Sequence, residues 1–164
     1  MSLTDWERNR WLTAHRTSRT EIRDLLEVVE RDLADSDAEG LSADWRMNIA
    51  YNAALQGATA ALAAAGYRAS RDQHHYRVIQ SLRETIGADA KLVDTFDIFR
   101  KKRNISGYER AGLVSDADAA AMRALAVQLR DAVTTWLRKR HGHLVTRGEG
   151  RPRRGVASPS RRRP

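Results

Sequence analysis

The stretch from Leu92 to Glu109 has the residue types and the spacing that a binding site for an anion would need. Leu92, Phe96, Phe99 and Arg103 follow one another at intervals of four, three and four residues, which places them on one stripe of a helix. Arg103 therefore extends an apolar seam. Its guanidinium needs a partner there, because burial of an unpaired charge is costly.

Two polar residues follow Arg103 closely enough to share a ligand with it. Asn104 is its neighbour, and Tyr108 comes just after Gly107, which can bend the chain and return the phenol towards the guanidinium. Together these groups could hold a phosphate or a carboxylate. The alternative is structural: Arg103 pairs with a carboxylate from another helix, and Tyr108 packs as a half-buried aromatic residue.

The same stretch carries further charged residues. Arg100 and the lysines Lys101 and Lys102, which we expect to point towards water, are further candidate binding residues. Asp94 and Asp97 lie three residues apart on the same helix. We interpret these two carboxylates as part of a solvated face rather than as an acid–base couple.

Composition limits the class of protein. The chain has 164 residues, enough for one domain with a real core, and it has no cysteine, which excludes disulfides and thiolate chemistry. Its first residues are charged where a signal peptide has an apolar run, and no stretch reaches the roughly 20 apolar residues that cross a bilayer. We therefore expect a soluble cytoplasmic protein.

Most of the net charge of +8 comes from the C-terminal tail, residues 146–164. The tail holds seven arginines, one glutamate and all three prolines, whereas residues 1–145 hold 22 basic and 20 acidic residues. A segment with so few apolar residues cannot bury enough surface to order itself, so we expect the tail to be disordered. Its arginines are either a generic contact for polyanions or a merely solubilising end.

Capping residues and apolar stripes predict four or five helices before this tail. Ser18 and Glu21 form a predicted capping box, Ser42 and Ser115 (with Asp118 three residues on) are further predicted caps, and Gly66 is the predicted end of the second helix. The apolar face predicted for that second helix consists of Met47, Ala50, Tyr51, Ala54, Ala58, Ala61, Leu62 and Ala65. The predicted helical segments are 18–40, 43–65, 72–86, a helix from about 89 that contains Arg103, and 115–141. No segment alternates with period two, so no strand is predicted. The expected fold class is therefore all-α, a helical bundle in residues 18–145 with short connections, and residues 1–17 are expected to lay a short helix over it.

Histidines are the other candidates for chemistry. His74 and His75 are adjacent at a predicted helix start, so their side chains diverge by about 100° and cannot chelate one metal ion. His75 is expected at the edge of the core, where it is either satisfied by polar neighbours or available to a site. His141 and His143 lie at a helix C-terminus, where the dipole favours an imidazolium. No metal or cofactor is predicted, since the sequence lacks a glycine-rich phosphate loop and an H-E-x-x-H motif.

Several segments stand in an order that is known from one superfamily. They are I-A-Y-N-A-A-L-Q-G-A-T-A-A-L-A-A-A-G-Y, D-Q-H-H-Y-R-V-I-Q-S-L, R-K-K-R-N-I-S-G-Y-E-R-A-G and S-D-A-D-A-A-A-M. In this order the chain resembles the HEPN domain superfamily over roughly residues 20–140. It is similar in particular to bacterial HEPN-domain proteins with an R-N-x-x-x-Y pattern.

The resemblance implies a helical bundle that dimerises and brings two polar motifs into one cleft. Active members are ribonucleases that need no metal and carry an arginine followed a few residues later by a histidine. The arginine stabilises phosphate charge, and the histidine assists attack by the ribose 2′-hydroxyl. Many are toxins of toxin–antitoxin or defence systems, often paired with a small nucleotidyltransferase as antitoxin.

Arg103 and Asn104 match that pattern, but Tyr108 stands where active members have histidine. A phenol, with an ordinary pKa of roughly 10, is a poor general base at neutral pH. We therefore expect weak or absent RNA cleavage, while binding of RNA or of a nucleotidyltransferase-type partner remains. One alternative is an active endoribonuclease that uses Arg103, Tyr108 and His75, and another is a dimeric interaction module whose polar cluster only holds the dimer together.

Overall fold

The computed structural model describes residues 1–106 and 112–145. In these ranges the chain forms α1 (Leu3–Arg8), β1 (Leu12–Ala14), α2 (Arg19–Asp35), α3 (Ala43–Ala64), β2 (Tyr67–Ala69), α4 (His74–Ser81), α5 (Ala90–Ser106), α6 (Asp116–Arg140) and α7 (Gly142–Val145). The prediction of an all-α bundle is confirmed, since α2 to α6 form its body. The tail that we expect to be disordered lies outside the described residues.

The helix α3 occupies the centre of the bundle and packs most extensively against α2 and α6. Most of its predicted apolar stripe is buried: Met47, Ala50, Tyr51, Ala54, Ala58, Ala61 and Leu62. Ala65, the last residue of that predicted stripe, is only partly buried. Alanine side chains are short, so the neighbouring helices can approach the backbone of α3 closely. The helix ends as predicted at Gly66, whose φ of 96° is the left-handed conformation that glycine adopts readily.

Two short strands correct the expectation that the chain has none. β1 and β2 pair antiparallel, with Leu12 opposite Ala69 and Ala14 opposite Tyr67. Strands of three residues are too short to show a clear alternation, and the two partners lie far apart in the sequence, so no local pattern predicts them. The pairing attaches the N-terminal segment to the end of α3 and places Trp6 and Leu12 in the core.

The predicted third helix, 72–86, is wrong in its length. α4 begins only after Gln73, whose φ of 50° and ψ of 38° are left-handed, and it ends at Ser81. Beyond that point the backbone N–H groups of Leu82, Arg83 and Glu84 bond to carbonyls three residues back, which tightens the chain into turns. The apolar residues up to Ile86 follow a helical spacing that the backbone does not keep.

The caps predicted for α2 and α6 have different outcomes. At the start of α6 the cap is confirmed and is a full capping box, since Ser115 and Asp118 each bond to the backbone N–H of the other. At the start of α2 the Ser18 side chain accepts from the N–H of Glu21, as predicted. The carboxylate of Glu21 does not close that box but bonds to His15 at 2.7 Å and to Thr17 at 2.8 Å.

The lengths and the hydropathy of the helices decide whether any of them could cross a membrane. None of the helices in residues 1–106 and 112–145 is long and apolar enough to span a bilayer. This agrees with the sequence, in which no apolar run has the required length.

Enlarging a buried alanine of α3 should separate the central helices. Ala58 is fully buried, so we expect Ala58→Leu to lower the free energy of unfolding by about 1–3 kcal/mol through overpacking. Ala121→Leu adds the same atoms on an exposed face of α6 and should change it by less than about 0.5 kcal/mol. Urea unfolding of the three proteins measures this. Equal losses in both variants would show that α3 is not closely packed.

Candidate functional site

Three of the seven predicted site residues meet in one open cleft between the start of α4 and the C-terminal half of α5. The cleft has a volume of about 450 Å³. It is lined by Gln73, His74, His75, Tyr76, Arg100 and Asn104. The structure thus brings together three candidates from two helices, since His75 lies on α4 and Arg100 and Asn104 lie on α5. A fourth candidate, Arg103, lies over the ring of Tyr51, whose oxygen is within hydrogen-bond distance of His75.

The N-terminus of α4 is open where it borders the cleft. Gln73 stands in the capping position, but its side chain makes no capping hydrogen bond. The first N–H groups of a helix have no partner within it and carry the positive end of the helix dipole, which favours anions. This feature was not recognised in the sequence, because a left-handed glutamine is not a usual helix start. The missing Ser, Thr, Asp or Asn immediately before the helix is the signal that would have indicated an uncapped end.

Tyr51 of α3 connects His75 with Arg103. The tyrosine oxygen lies 3.2 Å from Nδ1 of His75, within hydrogen-bond distance. The guanidinium of Arg103 lies over the same ring, 4.9 Å from its centre, and Phe96 packs edge-on at 5.5 Å. Arg103 therefore does continue the apolar seam of α5, and a ring face forms part of its surroundings. Sequence reasoning assigned Tyr51 to the core alone.

Burial keeps both partners of this hydrogen bond neutral. Burial lowers the pKa of His75, and the positive charges of Arg103, His74 and Arg100 lower it further. Burial also raises the pKa of Tyr51 to about 12. At neutral pH a neutral imidazole therefore meets a protonated phenol. If the phenol donates to Nδ1, the other ring nitrogen carries the proton; if Nδ1–H donates, the other nitrogen is free to act as a base.

The interpretation of Asp97 as part of a solvated face is wrong. Its side chain is only 12% exposed and accepts from Nε of Arg100 at 2.6 Å, with the amine of Lys101 at 3.4 Å. A carboxylate three residues before an arginine on one helix lies within reach of it, so it holds the Arg100 side chain in place. Since that bond uses Nε, the terminal nitrogens of Arg100 remain for a ligand. Asp94, by contrast, is solvated and pairs with Arg83.

The two lysines of the motif are placed differently from each other. Lys101 is largely exposed, as expected. Lys102 does not simply point towards water: its amine lies 2.5 Å from the carboxylate of Asp118 at the start of α6. It therefore ties α5 to α6 and is not available to the cleft as a free cation.

Aromatic and cationic side chains alternate from the cleft to β1. Arg100 and Arg77 each lie 5.4 Å from the centre of the Tyr76 ring. Arg77 also stacks on Trp11 at 3.7 Å from the ring centre. Such cation–aromatic contacts fix the guanidinium planes beside the cleft. Aromatic rings and guanidinium groups therefore lie together next to the cleft.

Comparisons with protein-family models, with curated proteins and with solved structures found no match.

Two further points about the site concern Tyr108 and metal ions. Tyr108, which we predict to approach Arg103, lies outside the described residues. Within residues 1–106 and 112–145, no group of three or more His, Asp or Glu side chains is placed to hold a metal ion. The described cleft offers hydrogen-bond donors, cations and a neutral imidazole, which is a set of groups suited to an anion.

The stability of the protein should fall as the pH is lowered from about 7.5 to 5.5. The pKa of His75 is lower in the folded protein than its unfolded value of roughly 6.5, so the unfolded chain takes up the proton more readily. This contribution is fully present above the unfolded pKa and is lost as the pH falls towards the folded pKa. Because glutamine does not titrate, His75→Gln should make the free energy of unfolding depend less steeply on pH. Burial also lowers the pKa of His141, so this histidine contributes a further part of the pH dependence in both proteins.

Urea unfolding of the wild type and of His75→Gln at several pH values tests this. Glutamine keeps a polar group that can bond to Tyr51, which limits other effects of the substitution. If the free energy of unfolding depends on pH equally in the two proteins, His75 does not take up a proton on unfolding. Its assignment as a buried, hydrogen-bonded imidazole would then be wrong.

Proposed function

We propose that the protein binds RNA through the cleft between α4 and α5 and cleaves RNA weakly or not at all. The observation that carries the proposal is the combination of an uncapped helix N-terminus with Arg100 and Asn104 in one open cleft. Backbone N–H groups, a guanidinium and an amide all supply donors, and a phosphate diester supplies acceptors. Asp97 holds the Arg100 side chain in place before a ligand binds, so less conformational entropy is lost on binding.

The aromatic surroundings favour a nucleic acid over a simple phosphate. Tyr76 lines the cleft, and the planes of Arg77 and Trp11 continue from it. RNA-binding proteins stack unpaired bases on aromatic rings and on arginine planes. The resemblance of residues 100–112 to the HEPN motif supports RNA as the nucleic acid.

A second candidate function is that of a metal-independent endoribonuclease that uses Arg103, Tyr108 and His75. The neutral imidazole of His75 favours it, because only an unprotonated ring can accept the proton of a ribose 2′-hydroxyl. The hydrogen bond to Tyr51 argues against this function if the phenol donates to Nδ1 of His75. In that tautomer Nε2 carries the proton and cannot act as a base. The phenol of Tyr108 is the weaker of the two candidate bases.

The resemblance also leads us to propose partners. Two copies of the chain are proposed to associate along α5, with Arg103 and Tyr108 near the two-fold axis, in a cytoplasmic toxin–antitoxin or defence setting. Ile98 supports this contact, since it is 61% exposed on the outer face of α5. A nucleotidyltransferase-type antitoxin is the proposed heterologous partner.

Replacing Arg103 should reduce RNA affinity without unfolding the protein. We expect Arg103→Ala to weaken retention of labelled single-stranded RNA about tenfold or more, since hydrogen bonds to charged groups contribute roughly 1.5–3 kcal/mol. Lys91→Ala is the matched control, because Lys91 is an exposed cation at the start of the same helix. It should change retention only slightly. Filter binding at a fixed salt concentration measures both variants.

Melting curves and sedimentation of the same variants identify the structural alternative. If Arg103→Ala dissociates the protein or lowers its stability by several kcal/mol, as loss of a buried charge partner does, the residue is architectural. If the wild type retains no RNA and Arg103→Ala behaves in this way, the binding proposal fails and the dimeric interaction module remains.

Replacing Tyr108 should separate binding from cleavage. Tyr108→His recreates the order of arginine and histidine found in active HEPN ribonucleases, so we expect it to raise cleavage of labelled RNA above the wild-type level. Tyr108→Phe keeps the ring and loses one hydrogen bond, which corresponds to about 0.5–1.5 kcal/mol of affinity. Cleavage by the wild type that Tyr108→Phe abolishes would instead favour the endoribonuclease.

A further inference from the structure

A second cleft lies beside the turn that joins α4 to α5, against the C-terminal end of α6. Its volume is about 610 Å³. It is lined by Thr85, Ile86, Gly87, Trp136, Arg140 and His141. Its lining shares no residue with the candidate site, and neither the motif nor the proposed RNA binding makes use of it.

One wall of this cleft is aromatic. Trp136 is only partly buried and packs on the core, while His141 lies with its ring centre 4.7 Å from that of the indole at an angle of 55°. A tryptophan of the core that remains accessible from a cleft presents a rigid flat surface at little entropic cost. The wall is therefore suited to a planar ring.

The charge at this cleft is positive and is not neutralised within the described part of the chain. Arg140 is exposed in the last turn of α6, and no carboxylate within residues 1–106 and 112–145 pairs with it. Among the residues that the structure describes, no acidic side chain lines the cleft. His143 approaches His141 with ring centres 6.2 Å apart. An unpaired guanidinium beside an apolar wall is a natural partner for an anion.

The state of His141 fits a stacking role. Burial lowers its pKa, and the nearby charges of His143 and Arg140 lower it further. The imidazole is therefore held towards its neutral form, contrary to the imidazolium that the helix dipole led us to expect, because burial and nearby cations outweigh the dipole. In that form it can stack and also donate or accept one hydrogen bond. Charge at the cleft then comes mainly from the guanidinium.

We propose that this cleft binds a flat ring that carries an anionic group, with the ring against Trp136 and His141 and the anion at Arg140. The aromatic wall and the guanidinium lie side by side in the cleft. A ligand that has only a ring or only an anionic group would therefore contact half of the site. A nucleotide and an aromatic carboxylate share this chemistry. The proposal is independent of RNA binding at the cleft between α4 and α5.

The test is a titration of the full-length chain followed by the indole N–H signals in nuclear magnetic resonance spectra. The chain has four tryptophans, so single Trp→Phe variants assign the signals. Adenosine monophosphate should shift the signal of Trp136 and leave that of the exposed Trp45 unchanged. Adenosine alone and inorganic phosphate alone should each bind about tenfold more weakly or worse. Indole-3-acetate distinguishes nucleotides from aromatic carboxylates as ligands. If it binds as tightly as adenosine monophosphate, the cleft accepts aromatic anions in general.

Two arginines of the same helix end provide matched variants. Arg140→Ala should weaken binding of the nucleotide about tenfold, as expected for loss of a charge-assisted hydrogen bond. Arg138→Ala removes the same charge from an exposed position that does not line the cleft, and it should have little effect. Equal losses in both variants, or a shift confined to Trp11 beside the candidate site, would overturn the proposal. Both residues are exposed, so neither variant is expected to unfold.

Discussion

Close approach of helices to the alanine-rich face of α3 is the constraint on which the rest of the structure depends. α2 and α6 pack directly against that face, and their own apolar stripes are buried as a result. Because the face is so thin, the one large polar side chain on it, Tyr51, reaches from the centre of the bundle to its edge. There its hydroxyl contacts His75 and its ring lies under Arg103. The core and the candidate site are therefore parts of one packed arrangement.

Electrostatics in the site follow from this packing. The cations Arg100 and Arg103 come from one helix and the imidazoles from another, and Tyr51 lies between them in a buried position. Asp97 is a buried counter-charge, and it engages Arg100 through a single nitrogen. An excess of donors remains on the open side of the cleft. This excess is the physical reason that an anion, rather than a cation or an apolar ligand, suits the cleft.

The sequence predicts those parts of the structure that local patterns control. The apolar stripes of α2, α3 and α6, the serine caps at 18, 42 and 115, and the glycine after α3 all depend on residues within a few positions of one another. The pairing of β1 with β2 depends on contacts between distant segments, and so does the burial of Asp97. Neither leaves a local pattern, so both were interpreted wrongly.

The candidate site is predictable to a similar extent. Arg103 stands out because a charge continues an apolar stripe, and Arg100 and Asn104 are its neighbours in the sequence. Tyr51 contributes through tertiary packing alone, since it lies on a helix about fifty positions earlier. The open N-terminus of α4 depends on a left-handed Gln73, which propensities do not indicate.

The composition of α3 also has a consequence for the thermodynamics of the fold. Alanine exposes less apolar surface on unfolding than leucine or phenylalanine, and the heat capacity of unfolding scales with that surface. A bundle whose central face contains so many alanines should therefore have a heat capacity of unfolding per residue below the usual value of roughly 12–15 cal/mol/K. Its stability curve would then be broad and flat, and the geometry at Tyr51 would be maintained over a wide range of temperature.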